Sequence, residues 1–232
     1  VARDQGTARG DRWREEGKGM AFARQLNRLK PTGKFIDVGC ATGFFINGIK
    51  QHSKWEVFGT DFGASAVRFA KEQLGLNVQQ GDLADAKFPS EYFDYVHVNN
   101  VLEHVPNPIE LMTECKRILK PDGVFYLSVP NGAVDCRDII DFEREEQKPA
   151  RSKQGHIFFF LDVTLLRIFR KLGLEVISQK TYSIKRGLRS IGVLPRKSDW
   201  KRDYYPRTEP EGITEEAEVI LPNDKKKHRF YS

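Results

Sequence analysis

Little in this chain of 232 residues supports cross-linking, export or membrane insertion. Only three cysteines are present, Cys40, Cys115 and Cys136, with no Cys-x-x-Cys spacing. Neither a disulfide framework nor a thiolate zinc site is expected, and each cysteine reads as a small buried filler. No apolar run approaches the roughly 20 residues that cross a bilayer. The start, Val1 to Leu29, is charged where a signal peptide would be apolar. A cytoplasmic protein without a membrane span is therefore expected. No internal repeat is visible. What is present, 39% hydrophobic and 30% charged residues, suits one ordinary globular domain and little more.

The net charge of +6 is unevenly placed. Gln179 to Ser232 holds 13 Lys/Arg against 8 Asp/Glu, a net +5, so the rest of the chain is nearly balanced. A basic tail of this kind is most simply a solvated appendage, and a nucleic-acid partner is the less favoured reading. Basic and aromatic residues interleave there only at Trp200-Lys-Arg-Asp-Tyr-Tyr205.

Apolar spacing predicts an N-terminal helix over Asp11–Leu29, ended by Pro31-Thr-Gly33. Strands are expected at Phe35–Gly39, Trp55–Thr60, Asn77–Gln80, Tyr92–Val98, Val124–Val129 and Leu174–Ser178. Helices are expected at Phe44–His52, Ala64–Leu74, from Ile109 to Leu119 with a proline in the first turn, and at Leu161–Leu172. Lys120-Pro-Asp-Gly123 reads as a turn before the fifth strand. In the proline-rich last 50 or so residues only Ala217–Leu221 looks like a strand. Strands and helices alternating at this pace specify an α/β fold, a mainly parallel sheet covered on both faces, with ligands at the carboxyl ends of the strands. The chain accordingly divides into an N-terminal helical segment (residues 1–33), a core (residues 34–178) with an irregular insertion at 131–160, and the basic appendage (residues 179–232).

The sharpest local signal is Asp37-Val-Gly39-Cys40-Ala41-Thr-Gly43 between a strand and a helix. Its glycines let the backbone approach a ligand, and the helix after it presents free N–H groups. Dinucleotide sites space their glycines as G-x-G-x-x-G, whereas Gly39, Ala41 and Gly43 stand two and two apart, which disfavours NAD. The segment resembles the first motif of the class I S-adenosylmethionine-dependent methyltransferases, D-x-G-x-G-x-G, with Ala41 in place of the middle glycine. Further features follow in that family's order. Asp61 ends the second strand, 22 residues after Gly39, and Gly81-Asp82-Leu83 follows the third. Phe93 to Val105, with Asn99, Glu103 and His104, is similar to the fourth strand and its loop. Lys120-Pro-Asp-Gly123 precedes the fifth.

The resemblance implies a three-layer fold with a seven-stranded sheet in the order 3-2-1-4-5-7-6, and S-adenosylmethionine as cofactor. It implies that Asp61 takes the ribose hydroxyls, and that Asp82 and Leu83 receive and cover the adenine. Asp37, Gly39, Cys40, Ala41 and Gly43 would border the donor, and Asn99 its methionine end. Alternatives stay open for three residues here: Asp37 and Asp61 as helix caps, and Phe62 packed on the adenine or in the sheet edge. Gly155-His156-Ile-Phe-Phe-Phe160 resembles a segment of ubiquinone-biosynthesis O-methyltransferases and of methyltransferases acting on bacterial sugars. It points to oxygen methylation of a small-molecule or saccharide acceptor.

Removal of the acceptor's proton calls for a base. Among five histidines, His104 and His156 are the candidates: His52 ends a helix, His97 lies inside a strand and His228 is in the tail. The insertion is expected to bring His156 toward His104, with Phe158 to Phe160 as apolar wall or its support. Glu103 and His104, two adjacent ligands, do not by themselves make a metal site, and none is expected. RNA methylation and a non-catalytic binding subunit are the competing functions.

Overall fold

A computed structural model describes residues 2–130, 132 and 156–180, with side chains described from Arg12 onward. The chain divides into two units, Val1–Leu174 and Glu175–Ser232, and the architecture below belongs to the first. Five strands form one parallel sheet: β1 (Lys34–Val38), β2 (Glu56–Asp61), β3 (Asn77–Gln80), β4 (Phe93–Asn99) and β5 (Leu119–Ser128). Their order is β3-β2-β1-β4-β5. This is a Rossmann-like arrangement and the first five places of the expected order.

Central strands β1 and β4 are buried almost end to end, as parallel strands covered on both faces must be. Successive residues serve opposite faces. Phe35, Val57 and Tyr95 pack with Leu26 of α1 (Ala2–Leu29), Ile46 and Ile49 of α2 (Phe44–His52) and Val67 of α3 (Ala64–Leu74). Ile36, Phe58 and Val96 pack with Cys115 and Ile118 of α4 (Pro108–Ile118). A third cluster joins Leu102, Met112 and Phe160 to Leu165, Ile168 and Phe169 of α5 (Asp162–Lys171). The result is two helical layers around the sheet.

Helix α1 is longer than its apolar spacing predicts, starting at Ala2. It meets α2 backbone to backbone. A methyl group on Gly48 would strike the Glu16 carbonyl and come within 3.0 Å of the Gly19 Cα, so both helices need glycine where they cross. At the C-terminal end of α1, Lys30 Nζ donates to Asp94 Oδ1 at 2.7 Å and to Asp122 Oδ2 at 3.2 Å. Lys120 Nζ and the Lys34 N–H both donate to Asp94 Oδ2, at 2.9 Å.

These bonds explain one departure from the sequence pattern. Lys120–Gly123 is not a separate turn but lies within β5, where Phe93 pairs with Leu119 and Tyr95 already pairs with Val124. The extra residues bulge from the ladder, and Lys120 and Asp122 are held there by the Asp94–Lys30 network. A second departure is Leu174–Ser178, which is irregular. The sixth and seventh strands of the expected order are not seen among the described residues. The strand expected at Ala217–Leu221, most of the insertion and most of the basic tail lie outside the described residues. No helix among the described residues is long and apolar enough to cross a membrane.

Candidate active site

The carboxyl ends of β1, β2, β3 and β4 open on one edge of the sheet, and the residues singled out in the sequence gather along it. After β1, Gly39, Ala41 and Gly43 adopt φ of 76°, 48° and 77°. Left-handed backbone costs glycine little and alanine about 1–2 kcal/mol, so Ala41 is held against its preference. What holds it is Asp61: its Oδ2 accepts the Ala41 N–H at 2.8 Å, while its Oδ1 accepts the Gly63 N–H at 2.7 Å. The Gly39 and Cys40 N–H groups both donate to the Thr60 carbonyl, at 2.8 and 3.0 Å. The first turn is thereby fixed to the end of β2.

Neither Asp37 nor Asp61 caps a helix. Helix α2 begins after Gly43 and α3 after Gly63, and neither has a side-chain cap among the described residues. Asp61 is partly exposed. Phe62 is 67% exposed, so it does not pack in the sheet edge. Asp82 is exposed, its Oδ1 accepting the Asp85 N–H at 2.7 Å. Leu83 is buried among Ile36, Phe58 and Phe93, and its side chain serves the core. Cys40 is likewise buried; that burial, with the nearby Asp37 and Asp61 charges, pushes its thiol well up from the ordinary range.

Asp37 has a partner that spacing alone does not show. Its Oδ1 meets Nδ1 of His97 at 2.7 Å, both residues being buried. The two stand opposite each other in the β1–β4 ladder. His97 stacks on Tyr126 at 4.8 Å and on Phe45 at 5.0 Å, and Phe22 of α1 meets it edge-on at 5.5 Å. A histidine between Val96 and Val98 of a buried central strand was the available clue.

At the end of β4, Asn99 and the following Asn100 are exposed, and Asn100 turns the chain at φ 53° while its N–H donates to the Ser128 carbonyl. The chain then runs under the first turn: a Cβ on Gly39 would collide with the Val101 side chain. Two residues on, Glu103 is buried and His104 is exposed. The Glu103 carbonyl accepts the N–H groups of Ile157 and Phe158, at 2.7 and 3.2 Å. Through those bonds the His156 and His104 rings stand 4.9 Å apart, centre to centre, though 52 residues separate them in sequence. Phe160 is buried and stacks with Phe158, supporting the segment from below, whereas Phe159 is at the surface near His156.

A family model described as a methyltransferase domain matches residues 11–179. The chain belongs to that family. It is an S-adenosylmethionine-dependent methyltransferase of class I. Among curated proteins, this methyltransferase is 30% identical over 161 residues to the ubiquinone biosynthesis O-methyltransferase of Haemophilus ducreyi, covering 64% of this chain and 68% of that one. It is 31% identical over 118 residues to the enzyme of the same name from Coxiella burnetii, of which it spans about half (49%), with 48% of its own length. Among solved structures it shares its fold with an S-adenosylmethionine-dependent methyltransferase of Archaeoglobus fulgidus. The TM-score is 0.50 at 22% identity, over 75% of this chain and 84% of that one. The YcgJ protein of Bacillus subtilis gives 0.51 at 16%, over 66% and 67%.

Proposed function

We propose that this methyltransferase transfers a methyl group to an oxygen atom of a small-molecule or saccharide acceptor, and that His104 and His156 act on the acceptor's proton. The observation that carries this reading is the meeting of those two imidazoles at the loop whose Val101 packs against Gly39. The activity for which the curated relatives are named supports oxygen as the atom methylated.

S-adenosylmethionine, when bound, supplies an electrophilic methyl group on a positively charged sulfur. The residues along the strand ends fit such a ligand. Asp61, an acid with one edge open, accepts the two ribose hydroxyls. Phe62, already exposed, lies on the adenine, and Asp82 with the backbone of Leu83 receives its amino edge. The left-handed turn from Gly39 through Cys40 and Ala41 to Gly43 leaves backbone open toward the donor, with Asp37 beneath it and Asn99 bordering its methionine end. The imidazole pair would take the acceptor's hydroxyl proton while the surrounding loop holds that oxygen toward the donor's methyl group. Positioning supplies most of the rate, and proton removal the rest.

Calorimetry with S-adenosylmethionine, followed by a screen of phenolic and sugar hydroxyls with labelled methyl donor, tests the reading. A micromolar dissociation constant, about 8 kcal/mol, and label on oxygen are expected. Label entering RNA at physiological salt would replace this acceptor class. Cofactor binding without turnover on any acceptor would make the chain a binding subunit.

A further inference from the structure

His97 has no part in the transfer proposed above, yet it sits in a strand buried from Phe93 to Val98. Its side chain and that of Asp37 are each 8% exposed. Polar groups buried so deeply are costly unless they are hydrogen-bonded, and Nδ1 of His97 meets Asp37 Oδ1 at 2.7 Å. A carboxylate only accepts, so Nδ1 carries the proton of this bond. The ring has little freedom to turn away. Tyr126, its neighbour in the β4–β5 ladder, lies 9° from parallel with centres 4.8 Å apart. Phe45 of α2 stacks on it at 5.0 Å, and Phe22 of α1 and Phe35 of β1 stand at 5.5 and 5.8 Å. Those four rings fix the plane in which the Nδ1–H points.

Asp37 has two oxygens and one described donor. Oδ1 is taken by His97, and no donor among the described residues reaches Oδ2, which is not sealed in as the Glu103 oxygens are. Asp37 stands two residues before Gly39, where the left-handed turn begins. An open carboxylate oxygen at that place suits a cation, and the methionine end of S-adenosylmethionine carries one, its ammonium group.

We propose that His97 is a positioning residue for the donor: by holding Oδ1 of Asp37 it aims Oδ2 at the ammonium group of S-adenosylmethionine. This rests on the donor arrangement proposed above, in which Asp37 lies beneath the turn. Asp37, His97 and Tyr126 stand in one row across β1, β4 and β5, so the register of the sheet sets the aim. The residue type matters as well. A neutral imidazole suffices to donate, whereas a lysine or arginine at position 97 would cancel the negative charge that attracts the ammonium.

Calorimetry on the full chain with two ligands tests the inference. S-adenosylmethionine carries the ammonium group; methylthioadenosine has the same nucleoside and no amino-acid portion. His97→Leu should weaken S-adenosylmethionine roughly 10-fold or more and leave methylthioadenosine within about twofold of the parent. His97→Asn, whose amide nitrogen is attached to Cγ as Nδ1 is, should bind S-adenosylmethionine within about threefold of the parent. Unchanged S-adenosylmethionine affinity in His97→Leu overturns the inference, as does equal weakening of both ligands, which marks a purely structural role. Should His97→Leu fail to fold, His97→Gln takes its place, since its donor lies one bond farther out and misses Asp37. Equal binding by His97→Asn and His97→Gln then overturns the inference. Asp37→Asn separates it from the arrangement on which it rests. Full affinity in Asp37→Asn removes Asp37 from the ammonium and sinks both, whereas a loss there without one in His97→Leu sinks this inference alone.

Discussion

The two sides of the crevice are built differently. On the side proposed for the donor, the turn after β1 is held by its own backbone, three of whose N–H groups go to Asp61 and the Thr60 carbonyl. On the side proposed for the acceptor, two segments far apart in sequence meet through bonds to one carbonyl, and among the described residues the buried Glu103 carboxylate has no donor. The turn after β1 is closed between neighbouring strand ends, the histidine pair by a contact across 52 residues of sequence. A common cofactor suits the first, and a variable acceptor the second.

The largest expected effect breaks the acceptor side alone. Alanine at His156 should cut turnover on the true acceptor by roughly 100-fold or more while leaving S-adenosylmethionine affinity unchanged, read by steady-state kinetics beside calorimetry. The converse is Asp61→Ala, expected to weaken cofactor binding about 30-fold, or ~2 kcal/mol, since a charged acceptor of two hydroxyls is lost. Equal binding by parent and variant would remove Asp61 from the ribose contact.

A smaller effect lies outside both sides, where α1 is tied to the sheet. Burial raises the Asp94 carboxyl, but the Lys30 and Lys120 ammonium groups and the Lys34 N–H outweigh it and hold it below its ordinary value. A depressed value in the folded state means that this stabilisation is complete above about pH 4. It fades as pH falls through the folded value. Denaturant midpoints should therefore drop more steeply below pH 4 in the parent than in Asp94→Asn, which costs about 1.5 kcal/mol at pH 7. Smallest is Ala41→Gly: release of the left-handed strain should raise stability by about 1 kcal/mol in the same melts, against the usual sign of an alanine-to-glycine change.

What could be read from the sequence was local. Helices α2 and α3 begin and end where apolar spacing puts them, because their own glycine turns and buried faces set the bounds. The Lys120–Gly123 segment has turn chemistry, yet Asp94, 26 residues before Lys120, draws it into a bulge. The expected sixth strand has apolar residues, yet Leu174–Ser178 is irregular, because spacing within a segment does not supply the neighbour a strand must pair with. At the site, Asp61 and His104 were legible from strand-end position, and the approach of His156 from the expected fold of the insertion before it. The Asp37–His97 bond was not, because it depends on the β1–β4 register, which no spacing within either strand reveals. Glu103 was visible as an acid next to His104, while its burial comes from the third core cluster, where Leu102 and Phe160 pack across 58 residues of sequence.

The Glu103 carbonyl clamp also bears on how the histidine pair tolerates substitution. Ile157 and Phe158 are fastened to it through their backbone N–H groups, so the bonds do not depend on which side chains stand at 103, 157 or 158. One main-chain oxygen thus joins the segment of His156 to the loop of His104 whatever the neighbouring side chains become.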